Sequence, residues 1–394
     1  MSLLYSPADP SQPGTHVLAI GVGNYPHLLG GGGQLTQKPR GLRQLQSPPE
    51  SLRAVLDWFL ANVLSPGSGG FINEAAPLAS IEALASAASP FTINAPAGTL
   101  TVDAATRQNI QEAFEAWLQR LKNHPDNIGV FYFCGHGMMV SDHYLLAEDF
   151  GRSNALPWAQ AFDISTTIRA VEREVSGSVF YFIDACREIA RDVALTLGAD
   201  PSALLYADLT KKVVRRSVTA IYATGEGELA FAPQGGQVSR FTSALLLALS
   251  GYCGIKSPGV STWNVDGESV AAAVRQLLEF DGRDAAGKAT AGKQVSEQSI
   301  HGSSVPLLRL AKVPNVKVCL DLLPSHRRAL YELYLESSKG NRVAQTRLDK
   351  VFEVEVPRGF YEVGAHDPAG ALLPVVYAEE ELTPPVYTLT FQVQ

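Results

Sequence analysis

The chain has 394 residues, 46% of them hydrophobic and 18% charged, with a formal net charge of −7. This composition fills one large core and a smaller one, and it lacks the concentrated Lys and Arg that general affinity for nucleic-acid phosphates or anionic membranes requires. Four cysteines are too few for a disulfide framework at this length, and the apolar contexts of Cys134 and Cys253 suit reduced thiols in the cytoplasm.

Residues 1–14, rich in Pro and Ser, read as a flexible N-terminal arm, and residues 1–7 lack the charged start and apolar stretch of a secretion signal. The longest apolar run, 244–249, is too short to span a bilayer. His16-Val17-Leu18-Ala19-Ile20-Gly21-Val22-Gly23 predicts a first strand, and Gly30 to Gly33 begin a loop. Residues 49–51 open a helix with Leu52, Val55, Leu56 and Phe59 on one face. A short strand is expected over 78–84, then an amphipathic helix capped by Asp103 and carrying Ile110, Phe114, Trp117, Leu118 and Leu121. Residues 127–133 form an unbroken apolar run, as buried parallel strands do, and it ends in Cys134-Gly135-His136-Gly137. A hairpin over 140–146 and a helix over 164–175 follow. The next apolar run, Ser178-Val179-Phe180-Tyr181-Phe182-Ile183, ends in Asp184-Ala185-Cys186-Arg187-Glu188. Residues 217–223 predict another strand, 241–249 and 269–280 helices, and 306–310 a final strand. The alternation predicts a doubly wound, mostly parallel α/β sheet over residues 15–311.

Composition changes at Lys312-Val313-Pro314. Beyond it, 316–320, 351–356, 360–363 and 386–391 alternate apolar and polar, with Pro-Arg-Gly and Asp-Pro-Ala-Gly as turns. Residues 312–394 are therefore expected to form a small antiparallel β-sandwich that covers an edge of the larger domain or docks partners. It carries no catalytic constellation.

Open parallel sheets place their chemistry at the carboxyl ends of strands. Two neighbouring strands that end in His136 and Cys186 would bring an imidazole to a thiol, the pair that cysteine peptidases use to make and restore a thiolate. Taken alone, either residue reads as a satisfied loop histidine or an ordinary buried cysteine; their joint placement argues otherwise. Cys134 shares the strand face of His136 by period-two alternation, which offers a rival nucleophile, but its position inside the strand favours core packing. Cys134, His136, His143 and Cys186 suggest a metal site only weakly, because Cys-x-His is not a usual zinc pattern. No metal or cofactor is expected.

The combination resembles the caspase-like cysteine peptidases, the clan of caspases, metacaspases, paracaspases and their bacterial relatives. The established caspase signature is Gln-Ala-Cys-[Arg/Gln/Gly]-Gly with a histidine about 50 residues upstream. This chain matches it at Ala185, Cys186 and Arg187, with His136 upstream, and departs from it at Asp184 and Glu188. Asp two residues before the Cys is similar to metacaspases, paracaspases and many bacterial members. The likeness covers roughly residues 15–310, including the first strand and Tyr144-Leu145-Leu146-Ala147-Glu148-Asp149.

The resemblance implies a caspase-like α/β/α sandwich and a cysteine-type endopeptidase acting on protein substrates. In it, Cys186 is the nucleophile, His136 the acid–base partner, and the backbone N–H groups of Gly137 and Cys186 the oxyanion donors. Backbone carbonyls can orient the imidazole in this clan, so no acidic third member is needed. An upstream activating protease or regulator, and a place in an antiviral defence or cell-death pathway, are implied by the bacterial relatives.

Asp184 sets the expected specificity. A carboxylate at the bottom of a slot favours Arg or Lys, Arg bidentately, and the relatives that share this Asp cleave after basic residues. Glu226 and Glu228 follow the next strand, where the family's pocket is completed, and can add a second acid. The alternatives are that Asp184 caps the following helix or pairs with Arg187, and that the glutamates are solvated. An acidic preference would need arginines, of which Arg40, Arg43 and Arg240 lie in loops. Lys211-Lys212-Val213-Val214-Arg215-Arg216 falls in the segment that caspases cut during activation, which makes Lys212, Arg215 and Arg216 candidate self-cleavage sites; a solvated basic face is the other reading. From a different class comes a catalytically silent scaffold that binds partners, against which the intact Cys186, His136 and Gly137 argue. An α/β hydrolase or nucleotide binder lacks its Gly-x-Ser-x-Gly or phosphate loop.

Overall fold

Three parallel strands, buried along their whole length, set the frame of the protein. In chain order the elements of its larger part are β1 (Leu3–Tyr5), β2 (Thr15–Val22), α1 (Ser47–Leu64), β3 (Leu78–Ser86), β4 (Thr92–Ala95), β5 (Gly98–Thr101), α2 (Arg107–Lys122), β6 (Ile128–Gly135), β7 (Gly137–Met139), β8 (His143–Leu146), β9 (Ala161–Asp163), α3 (Ile164–Glu174), β10 (Ser178–Ala185), β11 (Ser217–Tyr222), α4 (Arg240–Leu247), β12 (Ile255–Lys256), β13 (Trp263–Val265), α5 (Gly267–Asp281), β14 (Glu297–Gly302) and β15 (Leu308–Leu310). The computed structural model describes residues 2–7, 11–36, 41–139, 141–156, 158–187, 201–210, 217–225, 236–256, 259–281, 294–303, 305–346 and 350–393.

The main sheet has the order β1-β3-β2-β6-β10-β11-β14. Its inner strands β3, β2, β6, β10 and β11 run parallel. Helices cover both faces, so β2, β6 and β10 are buried at every position, which is why they read as continuous apolar runs. On one face Leu52, Leu56 and Phe59 of α1, Phe241 of α4 and Val274 of α5 meet Tyr132, Phe180 and Phe182. On the other, Phe114 and Trp117 of α2 and Ile168 of α3 meet Phe131, Phe133 and Tyr181. This is the expected doubly wound α/β/α sandwich.

Three local expectations are corrected. The side chain of Thr106, not Asp103, caps α2, accepting from the Asn109 N–H at 3.2 Å; Asp103 stands three residues too early. The last strand of the main sheet is β14, antiparallel to β11, whereas Leu308–Leu310 joins β12 and β13 in a separate sheet. Its sequence Glu-Gln-Ser-Ile-His-Gly is mostly polar because it is an edge strand with exposed positions. Within the N-terminal arm, Leu3–Tyr5 pairs antiparallel with β3, and Leu4 is buried.

Beyond residue 314 come β16 (Asn315–Leu323), β17 (Glu332–Ser337), β18 (Arg342–Thr346), β19 (Phe352–Pro357), β20 (Gly359–His366), β21 (Val375–Leu382) and β22 (Val386–Gln392). They form a sheet β19-β16-β22 and a sheet β18-β17-β20-β21 that share a core of Val318, Leu320, Leu335, Val363 and Phe391. The pair β16–β22 is parallel and the others antiparallel. No described helix is long and apolar enough to cross a membrane.

Candidate active site

β6 and β10 are parallel neighbours whose register sets Cys134 opposite Asp184 and Gly135 opposite Ala185. His136 and Cys186 therefore follow side by side, each the first residue past its strand, at the carboxyl edge of the sheet. Both are half-buried.

Tyr25 and Arg43 hold the N–H and the ring of His136. Its backbone N–H donates to the Tyr25 hydroxyl at 2.9 Å, and its ring packs on the Tyr25 ring with centroids 4.9 Å apart. Its Nε2 donates to the Arg43 carbonyl oxygen at 2.7 Å. A carbonyl only accepts, so Nε2 carries the hydrogen and the neutral ring presents Nδ1 as its lone-pair nitrogen. Burial lowers the pKa of His136 below the ordinary value, and the Arg43 carbonyl opposes that shift. The supporting loop is fixed by Gln44, whose side chain accepts from the Tyr25 N–H at 2.7 Å and donates to the Tyr25 carbonyl at 2.8 Å. Sequence reasoning anticipated a carbonyl orienter without locating it, and it missed Tyr25 and Gln44. The available signal was a tyrosine just past the end of the first strand.

Gly137 lies where a Cβ would stand 2.6 Å from the Cys186 carbonyl oxygen, 2.8 Å from His143 Nε2 and 2.9 Å from the Ala185 Cβ. Any larger residue would push the two strand ends apart. The space a side chain needs is thus taken by the peptide group of Cys186. His143 is buried, and its Nε2 donates to the Cys186 carbonyl at 3.2 Å, whereas the sequence suggests only a weak metal role for it.

Asp184 is buried on the α1 and α4 face of the sheet, one residue out of phase with Ala185 on the opposite face. Its Oδ2 accepts from the hydroxyls of Ser239 and Thr242, the latter at 2.7 Å, and from the Cys134 thiol at 3.4 Å. Ser239 is also the N-cap of α4. The carboxyl thus engages α4 and Cys134 rather than capping the chain after Cys186 or pairing with Arg187. Arg187 instead stacks 4.6 Å over the Tyr222 ring and pairs with Glu297. Burial raises the Asp184 pKa, and the hydroxyl and thiol donors pull it back down. Cys134 sits in the core of the same face, where burial and then the neighbouring Asp184 charge push its thiol well above the ordinary range. It is a packing residue and a hydrogen-bond donor, not an exposed nucleophile.

Arg43 gives its carbonyl to His136, and the charge of Arg240 acts on Asp281. Arg40, Lys212, Arg215, Arg216, Glu226 and Glu228 lie outside the described residues. Among the described residues, no group of three or more His, Cys, Asp or Glu side chains is placed to hold a metal ion.

A doubly wound sheet with a cysteine and a histidine at the ends of adjacent parallel strands is the architecture of a cysteine peptidase. The caspase-domain family model matches residues 82–306, and the chain belongs to that family. An uncharacterized protein of Sinorhizobium fredii, y4kE, is 36% identical over 294 residues, which cover 72% of this chain and 83% of that one. Among solved structures, caspase-1 of Spodoptera frugiperda is similar over 76% of this chain and 90% of its own, with 13% identity and a TM-score of 0.39.

Proposed function

We propose that the protein is a cysteine endopeptidase that cleaves protein substrates after Arg or Lys, with Cys186 as nucleophile and His136 as its acid–base partner. The register of β6 against β10 carries this reading, because it brings the two residues to one sheet edge while Nε2 of the ring is already engaged by Arg43. Nδ1 is then the nitrogen that exchanges a proton. The Cys186 sulfur attacks the scissile carbonyl carbon as its proton passes to Nδ1. The backbone N–H groups of Gly137 and Cys186 stabilise the oxyanion. Collapse breaks the C–N bond, and His136 gives its proton to the leaving amine. A water then loses a proton to His136, attacks the thioester, releases the new carboxyl end and restores the thiol.

Asp184 supports the basic preference. Its described hydrogen bonds all fall on Oδ2, and in this reading Oδ1 meets the guanidinium or ammonium group of the substrate. Burial disfavours the isolated carboxylate, and an entering cation restores the charged form. Glu226 or Glu228 supplies the second acid of the slot. Lys212, Arg215 and Arg216 present the residue types such a slot accepts and are the proposed self-cleavage sites. Residues 312–394 act as an accessory domain beside the peptidase domain of residues 15–311.

A panel of fluorogenic Arg-, Lys- and Asp-ended peptides tests the reading, with Cys186→Ala as control. Turnover of the Arg and Lys peptides that vanishes in the variant is expected. Silence of the wild-type chain on every peptide would favour a partner-binding scaffold. For self-cleavage, intact masses of the wild-type protein and Cys186→Ala should differ; identical masses would end that part of the proposal.

A further inference from the structure

We infer that His143 is a positioning residue of this site, holding the peptide group that follows Cys186 and, with it, the close approach of Gly137 and Cys186 that forms the oxyanion pocket. The inference rests on the peptidase reading above and adds a residue to it.

His143 begins β8, which pairs antiparallel with β7, setting Met139 opposite His143 and Gly137 opposite Leu145. The hairpin that carries Gly137 therefore also carries His143. Its backbone N–H donates to the Ser165 hydroxyl at 3.1 Å, tying the hairpin to the first turn of α3. The ring lies against the Tyr222 ring, with centroids 5.7 Å apart. Its Nε2–H reaches the Cys186 carbonyl at 3.2 Å, and the same nitrogen stands 2.8 Å from the place a Gly137 Cβ would occupy. One imidazole thus touches both backbone segments that supply the proposed oxyanion donors.

Packing alone does not account for a histidine here. Its Nδ1 is buried and accepts no hydrogen bond among the described residues, a desolvation cost that Phe or Leu would avoid. The ring is neutral: burial first, then the nearby Arg187 charge, lowers its pKa to about 3. A neutral ring with a bare Nδ1 has one polar function left, donation from Nε2 to Cys186. That bond fixes the 186–187 peptide plane from below, while Nε2 leaves room at residue 137 for glycine only.

The test compares His143→Phe, which keeps the ring volume and loses the donor, with His143→Gln, whose amide N–H can reach the same carbonyl. On an Arg-ended peptide, the Phe variant should lose about 100-fold in kcat, the scale of one disturbed oxyanion donor, with KM within about threefold. The Gln variant should recover at least about tenfold of that loss. Alkylation of Cys186 by iodoacetamide, followed by peptide mass mapping, forms no oxyanion and should stay within about twofold of wild type in both. A Phe variant with kcat within about threefold of wild type overturns the inference. If the Phe variant also labels Cys134, its core has opened and the Gln variant decides: a kcat at least about tenfold above that of the Phe variant supports the brace, and a smaller recovery with normal Cys186 labelling overturns it. A wild-type chain that cleaves no peptide refutes the peptidase reading itself, whereas active wild-type and active Phe proteins refute only the role of His143.

Discussion

The Nε2 of His136 lies 2.7 Å from the carbonyl oxygen of Arg43, a backbone group on the loop after β2. The imidazole is oriented by a peptide carbonyl rather than by a carboxylate. Its tautomer is fixed, and its geometry depends on how firmly that loop is held. Tyr25 and Gln44 bind across it, beside the backbone bonds of Leu29 to Leu42 and of Leu45 to Gly23.

Tyr25→Phe keeps the ring contact with His136 and removes the hydroxyl that accepts the His136 N–H. A net intramolecular hydrogen bond is worth about 1 kcal/mol, and an orphaned donor costs about 1–3 kcal/mol. Stability in denaturant titration should fall by about 1–3 kcal/mol. Steady-state kinetics should show kcat about tenfold lower, because the strand end that carries His136, the proposed base, is loosened.

Gly137→Ala places a methyl 2.6 Å from the Cys186 carbonyl oxygen and 2.8 Å from His143 Nε2. The strand ends must separate, and the proposed oxyanion donors with them. The expected result is a loss of about 100-fold or more in kcat, measured beside alkylation of Cys186, which should persist.

Asp184→Asn removes the charge of the proposed slot and keeps an acceptor for Ser239 and Thr242. For Arg-ended peptides, kcat/KM should fall about 10- to 100-fold, the value of a hydrogen bond to a charged group. Stability should move the other way. Because burial raises the folded pKa of this carboxyl above its ordinary value of 3.8, the native state binds the proton more tightly than the unfolded state. Stability is therefore lost as pH rises from about 3.8 through the raised pKa. Thermal midpoints of the two proteins, measured from pH 4 to 7, should diverge in favour of Asn as pH rises.

The buried histidines act with the opposite sign. His16 is lowered to about 4 and His143 to about 3, each chiefly by burial. The unfolded chain binds their protons more readily, so their contribution is complete above about pH 6.5 and is lost as pH falls toward those values. Thermal midpoints of wild type and His143→Gln should differ in slope between pH 6.5 and 4, with the wild-type protein falling more steeply.

Much of this site was legible in the sequence because buried parallel strands are continuous apolar runs. Residues 128–133 and 178–183 announce their own ends, and neighbours in a parallel sheet end at one edge. What followed the ends was less legible. Period-two alternation put Cys134 on the face of His136, yet alternation stops where β6 stops, and Cys134 joins Asp184 under α4. The same alternation, carried from Phe180 and Phe182 to Asp184, points the carboxyl to that face. The Arg43 carbonyl left no trace because every residue carries one. His143 left none because a lone histidine in a hairpin has no distinguishing pattern. β14 escaped notice because an edge strand need not be apolar, and Glu297-Gln298-Ser299 reads as loop.

The central claim is that Cys186 is a nucleophile that His136 activates beside a slot for a basic side chain. An Arg-ended peptide bearing a thiol-reactive ketone warhead tests all three parts at once, with the site of attachment found by mass mapping. The wild-type protein should carry one label, on Cys186, while His136→Ala and Asp184→Asn label far more slowly and Cys186→Ala not at all. Attachment to Cys134 or Cys319, or labelling of His136→Ala at the wild-type rate, would contradict it.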